Sequence, residues 1–312
     1  MPGAYAHITI VNELRDTGRL QNAGVEKKVI RAVLRWFKFS ELGAVSPDYP
    51  YLALGDAGAA KWADLMHYDR TGEVIHAAIR RLRLMSGEPA EKCMAWLLGY
   101  ASHVVTDTTI HPVVELKVGP YAENKTDHRI CEMHQDTYIF QRMNLQVQLA
   151  EHLRSGISRC VSRDSVDLLD PDLTNFWVAL LAEVHPAEAA RNPPDPNKWH
   201  RGFQLGVDKI AEEGDRLWPI ARHVAQACGL TYPSVSDLDP QYLEQLRTPS
   251  GPMDYDAIFD AARQNVLGGW VVASNALVDK KQEQFVAALG NWNLDTGRDL
   301  VTRELVYWKE LA

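Results

Sequence analysis

Four cysteines in 312 residues, none in a Cys-x-x-Cys pair, are too few and too scattered for a disulfide framework or a zinc ribbon. Cys93, Cys131, Cys160 and Cys228 read instead as small buried apolar residues. Long hydrophobic runs are also missing. The stretches MAWLLGYASHVV and FWVALLAEV fall well short of the roughly 20 residues a membrane span requires. The first 20 residues contain no basic stretch leading into an apolar run with a cleavage site, so a soluble, cytoplasmic protein is expected. Positive charge is in deficit, with 33 basic against 41 acidic residues and a formal net charge of −8. That balance gives no electrostatic footprint for a phosphate backbone and argues against sequence-specific nucleic-acid binding. Gly-x-Gly-x-x-Gly, the Walker loop, Gly-x-Ser-x-Gly and His-Glu-x-x-His are all absent, which removes the nucleotide cradle, the serine-hydrolase elbow and the zincin helix.

What is present is ordinary globular composition, 46% apolar and 24% charged, with length for a large core. Apolar residues recur at helical spacing nearly everywhere, as in Val25, Ile30, Val33, Leu34 and Phe37, while alternating β-branched runs are scarce. A helix is predicted from Ser86–Pro89 to about Ile110, stopping before Pro112, and its apolar surroundings mark it as central. Another should begin near Thr126 or Asp127. Further helical patterns run over 145–160, 172–184, 202–228, 254–290 and 298–311. The breaks between them look like loops inside one all-α body, with a boundary near residue 190 as the alternative.

The histidines are unevenly placed: four of 11 fall between residues 103 and 134. His103, Asp107 and His111 stand at i, i+4 and i+8 on the central helix, and His128, Glu132 and Asp136 repeat the spacing on the next. Imidazoles and carboxylates on otherwise apolar helices are costly to bury unless paired or bound to a cation. Imidazole with carboxylate and no thiolate favours zinc, with iron or manganese as competitors, and the number of candidates implies more than one ion. A buried histidine–acid hydrogen-bond network is the competing structural explanation. A redox di-iron bundle would need two Glu-x-x-His pairs, and the chain has one, Glu73 with His76.

Five segments in order, AHITI, GAVSPDYPY, WADLMHYD, GYASHVVTDTTIHP and HRICEMHQD, resemble the zinc-dependent phospholipase C and P1-nuclease-like metallohydrolases, over about residues 5–140. The resemblance implies a large multi-helix bundle with additional C-terminal helices. In that reading 1–312 is a single domain, with 1–145 carrying the metal site and 146–312 completing the bundle and shaping the pocket. It would place one zinc on His67, His103 and Asp107, a second on His111, His128 and Glu132, and a third on His7 with Asp107 as bridge. Asp48 would be a ligand or would orient the attacking water. Asp136 would be a supporting partner or extra ligand, and Asp69 would orient His67 or close a turn. Tyr49 and Tyr51 could form an aromatic lip over a substrate. The tryptophan that opens the secreted enzymes has no counterpart in Met-Pro-Gly, and the gap from Asp107 to His111 is shorter than theirs. The activity implied is metal-dependent hydrolysis of a small anionic phosphate ester: a phosphodiester, phospholipid or nucleotide. A family-derived metal-binding protein with altered chemistry, or with a purely binding role, is the alternative. Arg70, Lys125 and Arg129 are the basic residues nearest the motifs and could hold a substrate phosphate, with solvated surface as the favoured role.

Overall fold

The computed structural model describes residues 3–144, 152–153, 155–214, 232–278 and 288–309, with backbone alone for 206–214. Cys228, His223 and the expected helical stretches over 145–151, 215–228 and 279–287 lie outside the described residues.

Helix α7, Gly87–Val118, is the axis of the bundle, and every residue from Lys92 to Val114 is buried. It is covered by α1 (Ala4–Glu13), α3 (Lys27–Arg35), α4 (Phe37–Val45), α6 (Thr71–Leu82), α8 (Lys125–Phe140), α9 (Pro171–Val184) and α12 (Tyr255–Val278). The shorter α2 (Thr17–Ala23), α5 (Ala57–Tyr68) and α10 (Pro186–Arg191), with α11 (Pro196–Gly214), pack outside this layer. Among the described residues sheet is confined to two two-stranded pairs, Leu246–Thr248 with Gly251–Met253 and Trp292–Asn293 with Arg298–Asp299. No helix among the described residues is long and apolar enough to cross a membrane.

Helices α4 and α7 cross at close quarters, and two glycines permit it. A Cβ on Gly43 would lie 2.1 Å from the Trp96 carbonyl oxygen, and one on Gly99 would lie 2.0 Å from the Ser40 oxygen. The indoles buried beside this crossing are satisfied: Trp96 Nε1 donates to Ser46 Oγ at 2.8 Å and Trp270 Nε1 to the Leu98 oxygen at 2.8 Å. Burying side chains of this size stabilises the fold by roughly 2–3 kcal/mol each.

Two expectations are corrected. The central helix does not stop before Pro112 but continues to Val118. Proline removes the bond to the carbonyl four residues back and crowds it. Here the Trp308 indole donates to the neighbouring Thr109 oxygen at 2.7 Å, and Gly297, at φ +64°, packs where a Cβ would sit 2.4 Å from Pro112 Cγ. Tertiary contacts thus cover the turn that holds the proline. Residues 298–309 are not helical. Side-chain oxygens of Asn293 and Asp299 accept backbone N–H groups of Asp295, Thr296, Val301 and Thr302, and Arg303 adopts φ +64°. Such local turn bonding competes successfully with a merely periodic apolar pattern.

Candidate metal centre

Four helices deliver the candidate ligands to one buried region. His7 comes from α1, His67 from the end of α5, His103, Asp107 and His111 from α7, and His128 and Glu132 from α8. Asp48 precedes the 3-10 turn Tyr49–Leu52. His7, His67, His103 and Asp107 are fully buried, and Asp48 lines a cavity of about 980 Å³.

Four of the histidines share one feature. His67 Nδ1 is 2.7 Å from the Ala63 oxygen, His103 Nδ1 2.8 Å from Ala44, His111 Nδ1 2.6 Å from Leu294 and His128 Nε2 2.6 Å from Gly119. A ring nitrogen facing a carbonyl must donate, so in the neutral ring the other nitrogen carries the lone pair. The close α4–α7 approach puts Ala44 within reach of His103, so a glycine contact fixes the tautomer of a candidate ligand.

The remaining atoms converge without pairing. His103 Nε2 and His7 Nε2 each lie 3.1 Å from an Asp107 oxygen, yet neither Asp107 oxygen accepts a well-aligned hydrogen bond. His67 Nε2 is 3.2 Å from Asp48 Oδ1 and 3.4 Å from His103 Nε2. His7, His103 and Asp107 form one group able to hold a cation, and Asp48, His67 and His103 form a second. His111 Nε2 and His128 Nδ1 are buried without partners, and Glu132 Oε1 is 3.8 Å from His128 Nδ1. These three are not drawn as close together as the first two groups. Donor atoms aimed at common points but unbonded fit the expected metal, whereas a self-sufficient hydrogen-bond network would leave few of them orphaned.

The electrostatics follow from this crowding. Burial works to raise the Asp107 carboxyl, but the surrounding His103, His111 and His7 hold it well below the usual carboxylate range. Burial lowers His103 and His111, keeping their lone pairs free of protons. Burial also opposes protonation of His67, but the hydrogen bond and charge of Asp48 outweigh it and push this imidazole up to about 9. A proton and a cation therefore compete for His67 Nε2.

The supporting residues divide. Asp136 accepts the Tyr5 and Ala6 amides at 3.1 and 2.8 Å and the Tyr232 hydroxyl at 3.1 Å. It caps α1 from another helix, since Gly3 at the N-cap has no side chain to do so. Both its oxygens are engaged in holding the helix that carries His7. Asp69 ends α5 with its carboxylate 3.7 Å from His185 Nδ1, and His67 is anchored by Ala63 instead. Tyr49 is fully buried, its hydroxyl 2.7 Å from His200 Nδ1, while the Tyr51 hydroxyl donates to Asp64 at 2.8 Å; both line the cavity. Arg70 is turned away, donating to the Val184 oxygen.

Sequence reasoning passed over three lining residues: Tyr68, Tyr121 and Asp295. Asp295 Oδ2 accepts from the Tyr68 hydroxyl at 2.7 Å, and Oδ1 is unpartnered, 3.9 Å from His111 Nδ1. Tyr68 sits beside the His67 motif, but Asp295 has no local signal. Only the fold places it there.

A family model described as zinc dependent phospholipase C matches residues 6–187, more than half of the chain. The chain belongs to the zinc-dependent phospholipase C family. No curated protein and no solved structure matches it. The matched span carries every candidate ligand of this phospholipase C family member, and Leu153 and Ile157 of the same span line its cavity. Phe203, Tyr232 and Asp295, beyond the span, complete the lining.

Proposed function

We propose that the protein hydrolyses a phosphate ester, with two or three zinc ions held among Asp48, His67, His103 and Asp107, among His111, His128 and Glu132, and at His7 with Asp107. The observation that carries this reading is the set of four histidines, each with one nitrogen committed to a backbone carbonyl and the other aimed into the cluster, where His111 Nε2 and His128 Nδ1 have no partner. Zinc bound there supplies Lewis acidity toward a phosphoryl oxygen and lowers the pKa of water toward neutrality. The chain's own groups do the rest. Asp48 Oδ1, buried 3.2 Å from His67 Nε2, accepts the proton of the attacking water or holds that water in line. Burial would raise the Asp48 carboxyl, but His103 and His67 keep it below its ordinary value, so it remains ionised for that role. Tyr68 and Tyr51 hold Asp295 and Asp64 in the wall, and the cavity is large enough for a small phosphodiester, a headgroup or a nucleotide.

The test pairs metal content with turnover. Protein purified without added metal is expected to carry two to three zinc per chain, and His103→Ala is expected to lose at least one. Bis-p-nitrophenyl phosphate hydrolysis should need zinc and fall by about 10³-fold in Asp48→Asn, the scale of removing a general base. A wild type that binds no zinc sinks the reading; zinc without turnover on diesters, monoesters or lipids moves it to a binding role.

A further inference from the structure

The cavity wall formed by residues 121–132 carries charge that hydrolysis at the metal centre does not use. Lys125, Arg129 and Glu132 all line the cavity, and their i, i+4, i+7 spacing puts them on one face of α8. Glu132 is buried, while Lys125 and Arg129 are exposed, so this face leads outward from the candidate ligands to two cations. Tyr121 bridges the step: its ring meets His128 edge-on, centroids 5.3 Å apart, and Lys125 Nζ stands 5.7 Å over the same ring. Among the described residues no carboxylate pairs with Lys125 or Arg129. Arg35, Arg80, Arg81 and Arg142, by contrast, are each paired with an acid. The N-terminus of α8 begins at Lys125 with no side-chain cap and adds its own positive field. Two acids, Asp64 and Asp69, stand on the α5 wall, where Asp64 is bonded by Tyr51, Asp69 stands by His185 and Lys61 lines the same wall as their counter-charge.

We infer that Lys125 and Arg129 form a subsite for a second anionic group, carried on the non-reacting arm of a phosphodiester. This rests on the hydrolytic reading above and narrows its substrate to diesters bearing an extra phosphate or carboxylate, as against those with a cationic arm. The arm could belong to a lipid headgroup or a nucleotide, and the chemistry recognised is the same.

Binding to the zinc-loaded protein, measured by calorimetry, tests this. The probes are glycerophosphocholine, glycerophosphoinositol and glycerophosphoinositol 4-phosphate, with thymidylyl-thymidine and its 5′-phosphorylated form as the nucleotide pair. In one pair or both, the extra phosphate should tighten binding by about 10-fold, the scale of two partly exposed charge pairs, and the choline compound should bind most weakly. The pair that responds identifies the source. In the double variant Lys125→Gln with Arg129→Gln the preference should shrink below about 3-fold, and Lys125→Arg with Arg129→Lys should restore it. Equal binding within both pairs, tighter binding of the choline compound, a preference that survives the glutamine variant, or no binding of any probe overturns the subsite. If the preference appears and none of the compounds is hydrolysed, the subsite stands and the hydrolytic reading fails.

Discussion

A buried imidazole is tolerated when one ring nitrogen donates to the protein and the other meets a cation or a donor. His67, His103, His111 and His128 satisfy the first condition with backbone carbonyls and not with other side chains. Asp136 shows the same economy at a carboxylate. Burial, opposed by the Ala6 and Tyr5 amides and the Tyr232 hydroxyl, pushes it up to about 7. Since this folded-state value lies above the ordinary carboxylate value, the native chain keeps a proton between about pH 4 and pH 7 that the unfolded chain has lost. Stability contributed at this residue therefore falls as pH rises through that window, by on the order of 4 kcal/mol at most. Urea unfolding from pH 4.5 to 7.5 in chelator should show a shallower decline for Asp136→Asn than for wild type. Parallel curves would show that the carboxyl titrates normally.

At the scale of elements, the α4–α7 crossing couples stability to the site. Gly99→Ala places a methyl 2.0 Å from the Ser40 oxygen, which belongs to backbone and cannot rotate away. The helices must separate, at a cost of about 2–4 kcal/mol in chemical denaturation, and the Ala44 oxygen should then lose His103. Zinc affinity is expected to fall with stability, whereas Gly24→Ala, at a helix C-cap with open space around it, should lower stability by about 1 kcal/mol and leave zinc alone. The elements differ in how legible they are. The start of helix α7 could be read because apolar periodicity, Ser86 at the N-cap position and Pro89 in the first turn agreed on one structure. Pro112 misled because its tolerance depends on Trp308 and Gly297, almost 200 residues away in sequence. Residues 298–309 misled because Asn293 and Asp299 form turns whose strength a periodic count ignores. In the site, His103, Asp107, His111, His128 and Glu132 stood out through spacing on two helices. Asp295 was hidden because its role comes from the Tyr68 hydroxyl and the nearby His111.

Across the whole molecule, the cluster is where distant parts of the chain meet. Leu294 receives the His111 proton through its oxygen and donates its own amide to the His67 oxygen, so a segment near the C-terminus is tied to α5 and α7 at once. Without a cation, this meeting point is a concentration of unsatisfied groups: both Asp107 oxygens, both His7 nitrogens, His111 Nε2 and His128 Nδ1. Each such group costs roughly 1–3 kcal/mol when left unmet in the interior. Cations held there would stabilise the native state alone, by about 4 kcal/mol for each site at a thousandfold excess over its dissociation constant. For a chain of this size 1 kcal/mol shifts the midpoint by a few degrees, so chelation should lower Tm by roughly 10–20 °C. Zinc should reverse the loss and magnesium should not, because imidazole ligands suit zinc and magnesium prefers oxygen. In His103→Ala the chelation shift should shrink, since the residue shared by both cation-binding groups is gone. A wild type that melts identically with and without chelator would mean that the unpaired atoms are met by water, and that the bundle stands without metal.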